Sequence, residues 1–269
     1  MSQPVTAFLR QSVALKSAIA DCLDNPSIKS VHRLRSSTRR IEATLELLDA
    51  ATDTKIRRKS KPLRKTLANI RRAAGAVRDL DVHRSLLKAY QKNRDIAQLC
   101  HTLISAREKS ARRLRIQLRK SQQRLHQAIE DLEIILKPAL DLNLTGAQLL
   151  RLTRTWFSSS VCDLDPQQDD QLHSIRKAGK TARYIAETGA DNSKAVAGLA
   201  ARFERAQETL GAWHDFLLLL SEARVGLPEH SPTVDQLQEK AFQLRRQANA
   251  TAKRLLSSFC TRTARSDVH

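Results

Sequence analysis

Two stretches 141 residues apart carry the same pattern: "VHRLRSSTRRIE" around His32 and "LHSIRKAGKTARY" around His173, each a histidine followed by cations at helical intervals. A second pair, "AAGAVRDLDV" and "TLGAWHDFLL", follows in the same order, with Gly75 and Gly211 136 residues apart. Preserved order and nearly preserved distance mark an internal duplication. Such a chain folds as two like units, and the natural place for a site that neither makes alone is where they meet.

Each unit reads as helical. The 269 residues hold only seven glycines and seven prolines, mostly between segments whose apolar residues recur at helical spacing. Helices are predicted over residues 5–23, 28–50, 53–89, 93–137, 145–162, 167–188, 192–224 and 232–260. The breaks fall at "DNPS", "ATDTK", Asn93, "KPALDLNLTG", "DLDPQQDD", "TGADNS" and "VGLPEHSP", several of which supply an N-cap or an initiating proline. The fold class is all-α: two tandem four-helix bundles, residues 1–140 and 141–269.

Charge narrows the partners. Forty-seven Lys and Arg against 28 Asp and Glu give a formal net charge of +19, which calls for a polyanion: nucleic acid, an anionic membrane surface or a phosphate polymer. Aromatic residues make up only 4% of the chain, too few for the stacking platforms on which single-strand nucleic-acid binders rely. No stretch approaches the roughly 18 uncharged apolar residues of a membrane span. Cys22, Cys100, Cys162 and Cys260 have no zinc or redox spacing and read as reduced thiols of a soluble cytoplasmic protein, with disulfide pairing left open.

At about 100° per residue, Arg35 and Arg39 fall within about 60° of His32, while Arg40 lies farther round on the other side. Leu34, Ile41, Leu45 and Leu48 occupy the opposite side, so one helix can anchor in a core and present cations outward. In the second copy His173, Arg176, Lys180 and Arg183 share a sector of about 80° over about 15 Å of axis, backed by Ile175, Ala182 and Ala186. An arginine run on a helix is also what a solvated face looks like. Its duplication is what favours a shared ligand. Guanidinium groups suit phosphate because they stay charged and present a planar fork of donors.

Further candidates are Arg64, Arg71 and Arg78, spaced by seven beside an apolar line, then Arg115 and Arg119 on the long fourth helix, and His214, which stands where the first copy has Arg78. The arginine row can equally cover a seam with its aliphatic stems.

At these residues the chain resembles the CHAD family, the conserved histidine α-helical domain. His32, Arg35, Arg39 and His173, Arg176, Lys180 are similar to its two signature helices, and Gly75, Arg78, Asp79 and Gly211, His214, Asp215 to its later elements. Glu42 and Thr181 depart from positions usually basic in the family. The resemblance implies two four-helix bundles related by pseudo-twofold symmetry, with a basic channel at their junction that binds inorganic polyphosphate, and a place at polyphosphate granules.

Other function classes find less to stand on. Asp79, Asp81 and Asp215 are candidates for holding a divalent cation or, alternatively, for orienting arginines. His32 and His173 are conceivable phosphoryl acceptors, but no base, leaving-group acid or nucleotide loop accompanies them. The expectation is a binding protein with no catalytic residues, no metal and no cofactor. Weak, non-specific nucleic-acid binding is expected of any chain so basic, although no helix-turn-helix presents itself.

Overall fold

The computed structural model describes residues 1–52, 56–90 and 93–260. Among these the chain is all-α. Its helices are α1 (Pro4–Asp24), α2 (Ile28–Ala51), α3 (Ile56–Lys59), α4 (Lys61–Leu87), α5 (Arg94–Leu136), α6 (Gly146–Val161), α7 (Asp169–Glu187), α8 (Lys194–Gly226) and α9 (Pro232–Phe259). The one extended pairing among the described residues is an isolated bridge between Ser2 and Leu144. No helix among the described residues is long and apolar enough to cross a membrane.

Local chemistry sets the helix starts. Ser27, Asn93, Thr145, Ser193 and Ser231 each accept a backbone N–H of the helix they precede, satisfying donors that the first turn leaves free. The helix expected over 53–89 divides at Ser60, with its first three residues outside the described part. Pro62 lacks an N–H and is tolerated only in a first turn, so it opens α4 rather than continuing α3.

Three apolar clusters organise the packing. One is built from α1, α2, α4 and the C-terminal two-thirds of α5, around Phe8, Leu34, Ile41, Ile70 and Leu118. A second fills the space among α6, α7, α8 and α9, around Phe157, Ile175, Phe203 and Trp213, and also takes Leu80 and Leu87 of α4 with Ile96, Leu99 and Leu103 of α5. The third, with Ala43, Leu47, Leu149, Ile185 and Val196, joins α2 to α6, α7 and α8. The 43 residues of α5 therefore serve both large clusters, and the two halves are cemented rather than tethered.

A polar tie reinforces that junction: Trp156 Nε1 of α6 donates to Glu46 of α2 at 3.0 Å. Within the first half, Arg107 of α5 donates to Asp81 of α4 at 2.6 Å and to the Pro26 carbonyl at 2.8 Å, holding the α1–α2 turn against the bundle.

The cysteines depart from expectation. Cys162, after α6, is disulfide-bonded to Cys260, after α9, across 98 residues of sequence, while Cys22 and Cys100 are free. Two helix ends meet only in three dimensions, so the spacing in the chain carries no trace of the pair. Beside it Phe259 stacks on Phe203 at 5.3 Å, with the Arg154 and Arg202 guanidinium groups over its ring at 5.4 and 5.0 Å.

Candidate anion-binding site

The signature segments lie on α2 and α7, which pack against each other through the third cluster, while α4 and α8 carry the glycine-aspartate elements and also meet. The apolar residues chosen by periodicity fix the rotation of both helices. Leu34, Ile41, Leu45 and Leu48 of α2 and Ile175, Ala182 and Ala186 of α7 are all buried. Their other faces turn toward a cleft of about 260 Å³ at the junction.

Both halves line it. Helix α2 contributes His32, Arg35, Ser36 and Arg39, α4 contributes Arg78, Asp79 and Val82, α7 contributes Arg176, Lys180 and Tyr184, and α8 contributes Gln207, Glu208, Gly211, Ala212 and Asp215. His32 sits exposed at the mouth, while Arg176 is only 8% exposed. Arg35 reaches its place across Gly75: a β-carbon there would lie 2.5 Å from Arg35 Nη1, so the guanidinium rests on the bare backbone of α4. Opposite it, Arg176 stands 3.8 Å from Asp215.

The electrostatics report crowding. Burial lowers the proton affinity of Arg35, with Asp79 opposing and Arg78 and Arg71 adding to the effect. Arg39 falls to about 10, through burial first and then Arg35 and Arg71. Arg176 falls through burial, against the pull of Asp215. Lys180 drops to about 6, because burial and the neighbouring Arg176 and Arg39 all disfavour its charged form. Burial pushes the Asp215 carboxyl up, and Arg176 and Lys180 pull it back. The arginines remain charged near neutral pH, and the nearby carboxylates do not balance them. Arg176 Nε also has no hydrogen-bond partner among the protein groups.

Of the two signature histidines, His32 reaches the cleft lining and His173 does not. The His173 ring lies against His214, 4.7 Å between centroids. Burial and adjoining cations hold both neutral near pH 7, His173 at about 4 and His214 at about 3. Burial and the charges of Arg78 and Arg35 also lower His32.

Several predicted contacts lie elsewhere. Arg40 is on the far side of α2, 3.5 Å from Glu187 and 5.6 Å from the Tyr184 ring centre. Arg183 is held by Glu187 at 2.7 Å and Glu204 at 2.8 Å. Arg64 pairs with Glu46 at 2.5 Å, and Arg71 with Glu42. Arg115 donates to the Asp24 carbonyl at 2.8 Å, away from the cleft, and Arg119 is exposed on the same helix. Glu187, one turn beyond Arg183 on α7, thus neutralises the outer cations of both signature helices, while Glu42, the last residue of the first quoted stretch, pairs with Arg71 of α4. Asp81, 5% exposed and tied to Arg107, plays no part in the cleft. No cluster of three metal-ligating side chains occurs among the described residues.

Ser36, Gln207 and Glu208 were not singled out by sequence as site residues. Glu208 was legible in principle, since 208, 211 or 212, and 215 follow helical spacing and put it one turn before Gly211 on the face of Asp215.

A family model for the CHAD domain matches residues 6–224. The chain belongs to the CHAD domain family. Among solved structures it is similar to the CHAD domain from the plant Ricinus communis, with 16% identity over 96% of this chain and 92% of that one and a TM-score of 0.68. It is also similar to PptA from Streptomyces chartreusis, with 17% identity over 95% and 97% of the two chains and a TM-score of 0.65. Identity that low carries the CHAD fold and nothing finer. No match was found among the curated proteins.

Proposed function

We propose that this CHAD domain binds inorganic polyphosphate in the cleft between its halves, as a binding or targeting module without turnover. The observation that carries the reading is one cleft in which Arg35, Arg39 and Arg78 of the first half face Arg176 and Lys180 of the second with too few carboxylates to balance them. Buried cations in that state gain most from a dense, flexible anion, and planar guanidinium forks match phosphate oxygens. Tyr184 is the one aromatic lining residue, which leaves nothing to read a series of bases. The carboxylates that reach the cleft face cations, as Asp215 faces Arg176, which suits orienting roles better than metal binding. In a cell such binding would bring the protein to polyphosphate granules.

The test is competition at near-physiological salt between long-chain polyphosphate and duplex DNA for a labelled polyphosphate probe. Polyphosphate should win, with affinity rising with chain length until the cleft is filled and falling steeply with salt. Preference for DNA would reject the reading. Release of orthophosphate with magnesium present, abolished by His32→Ala or Asp79→Ala, would make the protein an enzyme instead.

A further inference from the structure

Among the described residues, Lys180 differs from the other lysines in its surroundings. It projects from α7 into the cleft and forms no ion pair among the described residues. The charged and titratable groups around it are His32, Arg35 and Arg39 on α2, Arg78 and Asp79 on α4, His173, Arg176, Lys177 and Tyr184 on its own helix, and Glu208, His214 and Asp215 on α8. An amine that is buried and also crowded by guanidinium groups holds its proton weakly, and a neutral amine is a nucleophile. The arginines that hold a phosphate thus surround a group able to attack a carbonyl joined to that phosphate.

We infer that Lys180 is a site of anion-directed acylation, modified by small acyl phosphates that the cleft arginines seat beside its Nζ. In the step, the Nζ lone pair attacks the acyl carbon and the bond from that carbon to the phosphate oxygen breaks. The phosphate leaves with the bonding electrons and takes up one amine proton, giving an amide and hydrogenphosphate with no change of oxidation state. The bound dianion returns part of the amine's proton affinity. A starting point near 6 leaves room for that before the amine reaches the range of a surface lysine, about 10.4. The amide can no longer take up a proton when an anion binds, and it adds bulk, so the modification weakens anion binding in the cleft.

The inference rests on the cleft holding phosphate but not on a preference for polymers, and one experiment separates the two. The intact protein is incubated with acetyl phosphate near neutral pH, and acetylation is followed at each lysine by peptide mass spectrometry, with polyphosphate binding measured on the unmodified protein in parallel. Lys180 should acquire the acetyl group at least about tenfold faster than the exposed Lys177 and Lys240, because of its larger neutral fraction. Inorganic phosphate should slow Lys180 alone. Modification of Lys180 at the rate of Lys177, or no protection by phosphate, overturns the inference even where polyphosphate binds. Selective modification without polyphosphate preference upholds it and removes the reading above.

Discussion

The two walls of the cleft carry similar sequence motifs and behave differently. The α2–α4 wall offers Arg35, Arg39 and Arg78, three guanidinium groups that keep their charge at any physiological pH. The α7–α8 wall offers Arg176 and Lys180, and beside them Gln207, Glu208 and Asp215. Where the first wall has Arg78 by His32, the second has His214 against His173, both neutral. Gly75 is pressed by Arg35, whereas a β-carbon on Gly211 would meet nothing within 4 Å. Similar motifs on the two walls thus come with different chemistry. One wall presents cations of fixed charge only, and the other adds to Arg176 the amine of Lys180, whose charge depends on protonation.

The largest effect should come from breaking both walls at once. Arg35→Gln with Arg176→Gln should weaken polyphosphate binding on the order of a hundredfold or more, since each charged hydrogen bond is worth about 1.5–3 kcal/mol. Arg115→Gln with Arg119→Gln removes equal charge outside the cleft and should change affinity by no more than about threefold. Equal losses in fluorescence anisotropy would mean that overall charge, not a site, does the binding.

Proton linkage sharpens the contrast next. A bound anion raises the proton affinity of Lys180 from its value of about 6 in the empty cleft, so binding takes up a proton in the window above 6. Affinity should therefore rise as pH falls from about 8 to about 6, by up to roughly tenfold per unit for one proton, and the Lys180 contribution should level off below 6. Lys180→Arg should flatten this part of the profile in calorimetric titrations, leaving any further rise at lower pH to His32, His173 and His214. A slope unaffected by that substitution would place the switch elsewhere.

Smaller still is the glycine comparison. Gly75→Ala should displace the flexible end of Arg35 and weaken binding several-fold while leaving the melting temperature unchanged or higher, because alanine gains about 1 kcal/mol of helix propensity. Gly211→Ala should raise the melting temperature with binding changed less. The reverse pattern would show that Arg35 is not seated by Gly75.

The smallest effect on binding, close to none, is expected from replacing both Cys162 and Cys260 by serine. That disulfide lies at the ends of α6 and α9, outside the cleft lining, so its loss should cost about 2–4 kcal/mol in denaturant unfolding and leave polyphosphate affinity alone. A coupled loss of binding would tie the second wall to its far edge.

What could be read from sequence followed helical periodicity. Leu34, Ile41 and Ile175 announced which face is buried, and the stripes opposite them delivered His32, Arg35, Arg39, Arg176 and Lys180 to one cleft. Periodicity speaks only of one helix at a time. It therefore missed Glu187, which reaches across from α7 to Arg40 on α2, and it missed the partners that hold Arg64 and Arg71. The Cys162–Cys260 pair was hidden for the same reason. Pro62 was a local signal, and its power to start α4 was there to be read.

Calorimetric titration of a short polyphosphate of defined length into the protein, alongside Arg35→Gln and Arg176→Gln singly, tests most directly whether the two walls hold one ligand. One binding event per chain, weakened by either substitution, is the expected result. Two independent events, each lost with the arginine of one half, would show that the walls work apart and contradict a shared cleft.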